Sequence, residues 1–317
     1  MSRAWPWVRV LLGLVVIVAL LLRLGTGPFL EGLSQADAPL LALALGIGAV
    51  TTVCSAWRWR VVSAALGASL SMRTAVASSY RAQLLNSTLP SGVLGDVHRG
   101  VRHGLDSGDV GRGLRGVLWD RTSGQAVQVV LTVVVLLLLP SPVSPWAVAV
   151  VGLFAVGLAA LVLDAARRRG SRLGTAARTA LGDLRALAHS EVWPVAVVAS
   201  VGAVCGYVVM LLVAASAVGV DAPLAHLVPL ALLMLLAMSV PANVAGWGPR
   251  EGVAAWSFAA AGLGASVGVS VAVLYGVMSL VATLPGLPVL LGSWRRRPVP
   301  SPVQSPTAVP LEGAHHG

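Results

Sequence analysis

Long apolar runs alternate with short polar, proline-bearing or arginine-rich stretches along most of the chain. The runs at 8–24, 39–57, 122–139, 146–163, 192–218, 224–240 and 265–291 approach the roughly 20 residues that a helix needs to cross a bilayer. A shorter stretch, 250–262, adds an eighth candidate crossing. The 39–57 run ends in Trp57-Arg58-Trp59-Arg60, where the rings suit the interface and the arginines the cytoplasm, and 61–70 reads as a short interfacial helix or loop. The pattern predicts an all-α, polytopic transmembrane bundle of about eight spans over residues 1–292. A proline- and serine-rich cytoplasmic tail, 293–317, is expected to be disordered.

Two stretches break this pattern. The first follows a helical segment, 74–89, that carries Tyr80, Arg81, Gln83, Asn86 and Ser87 and is too polar for a lipid-facing span. Pro90, Gly92 and Gly95 interrupt it, and Asp96 and Arg99 follow. The second runs from Pro241 through Gly246 and Gly248 to Pro249, Arg250 and Glu251. Proline ends a helix because it lacks the N–H and clashes with the preceding turn. Pro249 suits the first position of a new helix, with Arg250 and Glu251 in its first turn. Broken helices at membrane depth are tolerated only inside protein or beside a cavity. Such segments in the two halves of a transporter point to its binding site. The first, with basic flanks on both sides, reads as a re-entrant hairpin over 73–102.

Composition supports a membrane protein. The chain is 56% hydrophobic and 11% charged, against about 25% charged in soluble domains. Its formal net charge is +10, and all its Lys+Arg count is arginine. Basic loops of this kind mark the cytoplasmic side rather than a nucleic-acid partner. Eight spans put both termini and every arginine-rich loop in the cytoplasm, as expected for a multi-pass protein of the cell membrane. The loop around Arg167, Arg168, Arg169, Arg172, Arg178 and Arg185 can form an amphipathic helix on the headgroups. The basic start and first apolar run resemble a signal peptide, but no small-x-small site follows promptly, so an uncleaved span is expected.

The polar residues inside apolar context are the candidates for chemistry. Arg121, Gln125, Gln128 and Thr132 share one face of a helix and should look toward protein or water. A charge at the bilayer centre costs about 2.5–3.5 kcal/mol on insertion scales, so Arg81, Arg121 and Arg250 call for a partner or a ligand. Asp96 and Glu251 are available as partners. Arg99, Arg102, Arg112 and Arg115 read first as loop charge, with Arg99 kept among the candidates. Arginine forks and helix N-termini suit phosphate. The candidate headgroup site is therefore Arg81, Asn86, Asp96, Arg99, Arg121, Arg250 and Glu251, flanked by the polar stripe of Gln125 and Gln128. Lysine-dependent chemistries are excluded, and no nucleotide-binding or Asp-x-Asp motif occurs. His98, His103, His189 and His226 lack metal-ligand spacing, and Cys54 and Cys205 read as packing residues. No metal, cofactor or catalytic residue is expected.

Four motifs in order carry a family resemblance: Trp57-Arg58-Trp59-Arg60, the Leu-Pro-x-Gly-x-x-Gly-Asp core within Asn86 to Arg99, Asp120-Arg121, and Pro241 to Glu251. The chain resembles the transmembrane region of lysylphosphatidylglycerol synthases, a flippase-like membrane family, over roughly residues 8–292. The resemblance implies a polytopic fold that moves lipids between leaflets. The family often has a second glycine beside Gly92, where this chain has Ser91 before it and Val93 after it. Pro249 stands where a small or aliphatic residue is common. No aminoacyl-transferase domain follows Arg297, so lysyl-lipid synthesis is not expected of this chain.

Three functions compete. The first is binding and translocation of an anionic phospholipid or polyprenyl-phosphate-linked lipid. The second is a non-catalytic scaffold for an envelope-synthesis protein partner. The third, least supported by motifs, is a membrane-embedded lipid-modifying transferase.

Overall fold

The computed structural model describes residues 5–89, 92–139, 172–188, 191–239 and 247–295. Among these residues it is all-helical, with twelve helices and no strands. The helices are α1 (Trp5–Leu24), α2 (Gly27–Ser34), α3 (Ala38–Ala65), α4 (Met72–Thr88), α5 (Leu94–Asp106) and α6 (Val110–Leu138). There follow α7 (Arg172–Leu187), α8 (Trp193–Ala217), α9 (Leu224–Met238), α10 (Pro249–Ala260), α11 (Ala265–Thr283) and α12 (Gly286–Arg295).

Side chains set several of the helix starts. Asp37 Oδ1 accepts the Leu40 N–H at 2.9 Å, Ser71 Oγ the Thr74 N–H at 3.2 Å, and Asp109 Oδ1 the Arg112 N–H at 2.9 Å. Each cap satisfies a first-turn donor and contributes about 1 kcal/mol. At Asp109 the Arg112 backbone hydrogen bond, helped by the charges of Arg112 and Arg115, holds the carboxyl below its usual range.

Among the described residues four helices are long and apolar enough to cross a membrane: α3, α6, α8 and α11. The apolar part of α1 and α2 form a pair bent by 98°, which makes a fifth if counted as one broken span. The expected crossings at 224–240 and 250–262 are the 15-residue α9 and the 12-residue α10. At 1.5 Å per residue these reach only about 22 and 18 Å, less than the roughly 30 Å hydrocarbon layer. The expected span at 146–163, the turn before it, the arginines at 167–169 and the tail beyond Arg295 lie outside the described residues.

Helix α3 is the hub, lying against α4, α6, α8 and α11. The main apolar core draws Ala44 from α3, Met210 and Ala214 from α8, Met234 from α9, Phe258 from α10 and Tyr275 and Met278 from α11. Small residues let the backbones approach, as membrane helices require in the absence of a hydrophobic force between them. A Cβ on Gly48 of α3, for instance, would strike Ala282 of α11.

Two sequence expectations are corrected. Trp57-Arg58-Trp59-Arg60 does not end a helix: α3 continues through it to Ala65, so 61–65 is not a separate element. Trp59 is buried, whereas Trp57 is exposed. Likewise, the basic stretch between Arg99 and Arg121 is not loop but most of α5 and the start of α6. Glycines explain the second, because they let α5 and α6 touch along Gly100, Gly104 and Gly113. The arginines are thereby held on packed helices. The amphipathic helix expected after Arg172 is present as α7, tied to α6 by Asp183. That carboxylate accepts from Trp119 Nε1 at 3.0 Å and pairs with Arg115 at 3.3 Å.

Candidate functional site: a polar cavity between two broken helices

The first break folds α4 and α5 into an antiparallel hairpin. Leu89 leaves α4 in an extended conformation, and Gly92 turns the chain with φ +61°. Gly95 then lies so close to the Ala82 backbone that a Cβ would have no room. Asn86 closes the hairpin from α4. Its Oδ1 accepts the Gly95 N–H at 2.8 Å, and its Nδ2 donates to Asp96 Oδ2 at 2.8 Å. One side chain thus satisfies a first-turn donor of α5 and steadies the acid of that turn, where the helix dipole favours negative charge.

Around this acid a buried ionic network ties four helices together. Arg99 Nη2 donates to Asp96 Oδ1 at 2.8 Å and to Asp120 Oδ2 at 3.0 Å. The other oxygen of Asp120 accepts from Arg58 Nε at 2.8 Å, and Arg58 Nη1 reaches Ser200 Oγ on α8 at 3.2 Å. The Arg99 guanidinium also lies over the Trp59 ring at 4.4 Å, and Trp59 meets His103 edge-on. Asp96, Arg99 and Asp120 are all buried. Such charges persist in low dielectric only when mutually paired, and removing one partner typically costs about 3–5 kcal/mol. Arg121 completes the set from the edge. Its Nε lies 3.3 Å from Asp96 Oδ2, and 43% of its side chain is exposed.

Two cavities open beside this network. The smaller, about 200 Å³, is lined by Arg58, Asp96, Arg99 and Asp120 among others. The larger, about 360 Å³, has an apolar wall that includes Met210, Leu235, Met238 and Leu280. Gln83, Asn86, Arg121, Gln125, Gln128 and Tyr207 line both, so the two are neighbouring lobes with a shared polar boundary. The volume falls within the range of small-molecule sites, about 300–1,000 Å³. The stripe on α6 faces protein and cavity, as its spacing implies. Gln125 Oε1 accepts from Ser239 Oγ at 2.6 Å, and Thr132 is buried against the Gln128 carbonyl. The Gln128 amide nitrogen has no partner among the described residues.

The second break borders the far end of the larger lobe, where Trp247, Pro249 and Arg250 line it. Gly248 takes φ +131°, a value that a side chain would make costly. Glu251 Oε2 accepts the Gly248 N–H at 2.7 Å, and its Oε1 pairs with Arg250 through Nε at 2.9 Å and through Nη2. The guanidinium sits between the Trp247 and Tyr275 rings, with centroids at 5.5 and 5.4 Å. It also packs flat on Gly276, where no Cβ would fit.

Of the residues singled out in the sequence, Asn86, Asp96, Arg99, Arg121, Gln125, Gln128 and Arg250 line the cavity, with Gly92 at its rim and Glu251 buried directly behind Arg250. Gly95 and Gly248 shape the backbone. Pro90, Pro241 and Gly246 fall outside the described residues. Arg81 is the correction: it lines neither lobe. It lies about 200° round α4 from Gln83, buried within electrostatic reach of Arg102 and Asp106. Arg58, Trp59 and Asp120, named in the sequence only within motifs, and Gln83, Tyr207 and Tyr275 were not among the candidate headgroup residues. A carboxylate next to Arg121 at the mouth of an apolar run was the signal that could have found Asp120. Nothing local marks Tyr207 or Tyr275. Among the described residues no group of three His, Cys, Asp or Glu side chains could hold a metal.

Fold and site together define a multi-pass helical membrane protein with an amphipathic internal cavity. The family model of the lysylphosphatidylglycerol synthase TM region matches residues 7–286, and the chain belongs to that family. No curated protein and no solved structure matches it.

Proposed function

We propose that the protein binds the acidic headgroup of a phospholipid or polyprenyl-phosphate-linked lipid in the two-lobed cavity and carries it between leaflets. The observation that carries this reading is Arg121. It is the half-exposed guanidinium on the boundary of both lobes, and its carboxylate partner is already engaged by Arg99 and Asn86. Four guanidiniums, those of Arg58, Arg99, Arg121 and Arg250, surround three carboxylates, those of Asp96, Asp120 and Glu251. That leaves a cationic excess for an anion. The apolar wall of the larger lobe suits the first carbons of an acyl or prenyl chain. The reading includes a cell-membrane location, both termini in the cytoplasm, and no covalent chemistry.

Native mass spectrometry of the purified protein should find a co-purifying anionic lipid. Arg121→Gln should lower its occupancy about tenfold, the equivalent of roughly 1.4 kcal/mol. Reconstituted vesicles should exchange a labelled acidic lipid between leaflets faster than protein-free ones. Wild-type protein without bound lipid and without exchange activity would leave a scaffold role as the better reading.

A further inference from the structure

Helix α5 has a second charged face. His98, Arg102 and Asp106 are spaced four residues apart, so they line one side of the helix, about a quarter-turn round from Asp96 and Arg99. Arg81 of the adjoining α4 comes within electrostatic reach of this row. It is only 5% exposed, yet it makes no hydrogen bond or ion pair with any described residue, and its Nε is buried without an acceptor. The charged groups facing it are Arg102 and His98, of like or neutral character, and Asp106, which is exposed. Partial desolvation, then the charges of Arg81 and Arg102, holds the surface-exposed His98 imidazole below its usual range. A neutral imidazole there still has one N–H to donate.

A guanidinium without a protein partner, its Nε enclosed and its Nη groups not, is unfavourable beside a second arginine in an empty protein. It becomes favourable if an anion with several acceptor oxygens lies between the two, because guanidinium forks match phosphate geometry. Carboxylates do not serve this role here, because Asp106, the carboxylate in electrostatic reach of Arg81, is exposed and forms no ion pair with it among the described residues. Arg99 differs in its Nη2, which meets two carboxylates, and in the aromatic face beneath it; its Nε, like that of Arg81, has no acceptor among the described residues.

We propose that Arg81, His98 and Arg102 form a second anion site on the α4–α5 hairpin, separate from the central cavity, that takes a phosphate group. The phosphate is either a soluble one or the phosphodiester of a membrane lipid. The site does not depend on the transport reading, since none of the three residues lines the cavity.

The test is thermal unfolding of the full-length protein in detergent, titrated with orthophosphate against chloride at matched ionic strength. A parallel arm compares nanodiscs of phosphatidylglycerol with nanodiscs of phosphatidylcholine. In the Arg121→Gln background, where the central cavity is weakened, phosphate in one form or the other should still raise Tm saturably. In that background the rise should fall by at least half on adding Arg102→Gln and vanish on adding Arg81→Gln. Arg81→Gln should also raise the phosphate-free Tm, because it removes a buried charge without a partner, whereas an arginine with a purely structural role would lower it. Stabilisation by orthophosphate identifies a soluble ligand. Arg81-dependent stabilisation by phosphatidylglycerol alone identifies a lipid headgroup. Absence of both, or loss in Arg121→Gln with retention in Arg81→Gln, overturns the second site.

Discussion

The two broken segments look alike in sequence, each with glycines followed by an acid and a base, but they are built differently. At the α4–α5 break, Asp96 is held by Asn86 from α4, Arg99 from its own helix and Arg121 from α6. Asp120 then extends the network to Arg58 on α3. At the α9–α10 break, Glu251 serves its own helix start and its sequence neighbour Arg250. The first is a cross-helix network with a half-exposed cation at its edge. The second is a local ion pair enclosed by two aromatic rings and a glycine. A shared motif therefore specifies a broken helix, while the number of helices meeting there decides whether the charges become a site or a structural plug.

Breaking the network should cost most. Asp120→Ala leaves Arg58 and Arg99 short of a carboxylate in a buried setting, with an expected loss of about 3–5 kcal/mol. Thermal or denaturant unfolding in detergent will measure it, and a loss under about 1 kcal/mol would mean water reaches those guanidiniums. Glu251→Gln should cost about 3 kcal/mol by stranding Arg250. Here the comparison sharpens. The double variant Arg250→Gln/Glu251→Gln should recover most of that loss, because the pair serves itself. Arg99→Gln/Asp120→Asn should not, because Arg58 loses its carboxylate and Asp96 keeps only the half-exposed Arg121 as a cation; a double-mutant cycle gives the coupling energies. Next, Gly95→Ala should destabilise by about 1–3 kcal/mol through overpacking against Ala82, read as a lower Tm. Arg121→Gln should change stability least, by about 1 kcal/mol or less for a half-exposed pair, while reducing lipid occupancy. If Arg121→Gln unfolds the protein instead, the distinction between a site residue and a network residue collapses.

How much of this could be read from the residues differs by scale. Periodicity and polarity located the α4–α5 break and the stripe Arg121, Gln125, Gln128 and Thr132, because both signals are local. Arg58 and Trp59 were misread as an interfacial end, since aromatic and arginine residues mark a membrane boundary as readily as a buried cation–π contact. Arg81 was grouped with the site because it is polar in apolar context, a property it shares with Gln83 on the opposite side of the same helix.

The amino-acid sequence alone determined that this is a multi-pass helical membrane protein with two interrupted helices, because apolar run length, proline and glycine act on the backbone locally. Only the tertiary structure decided which charges neutralise one another, which guanidinium faces a cavity and which is left without a partner. Those outcomes depend on distances between side chains from helices far apart in the chain, and electrostatic energies in a low-dielectric interior change steeply with them.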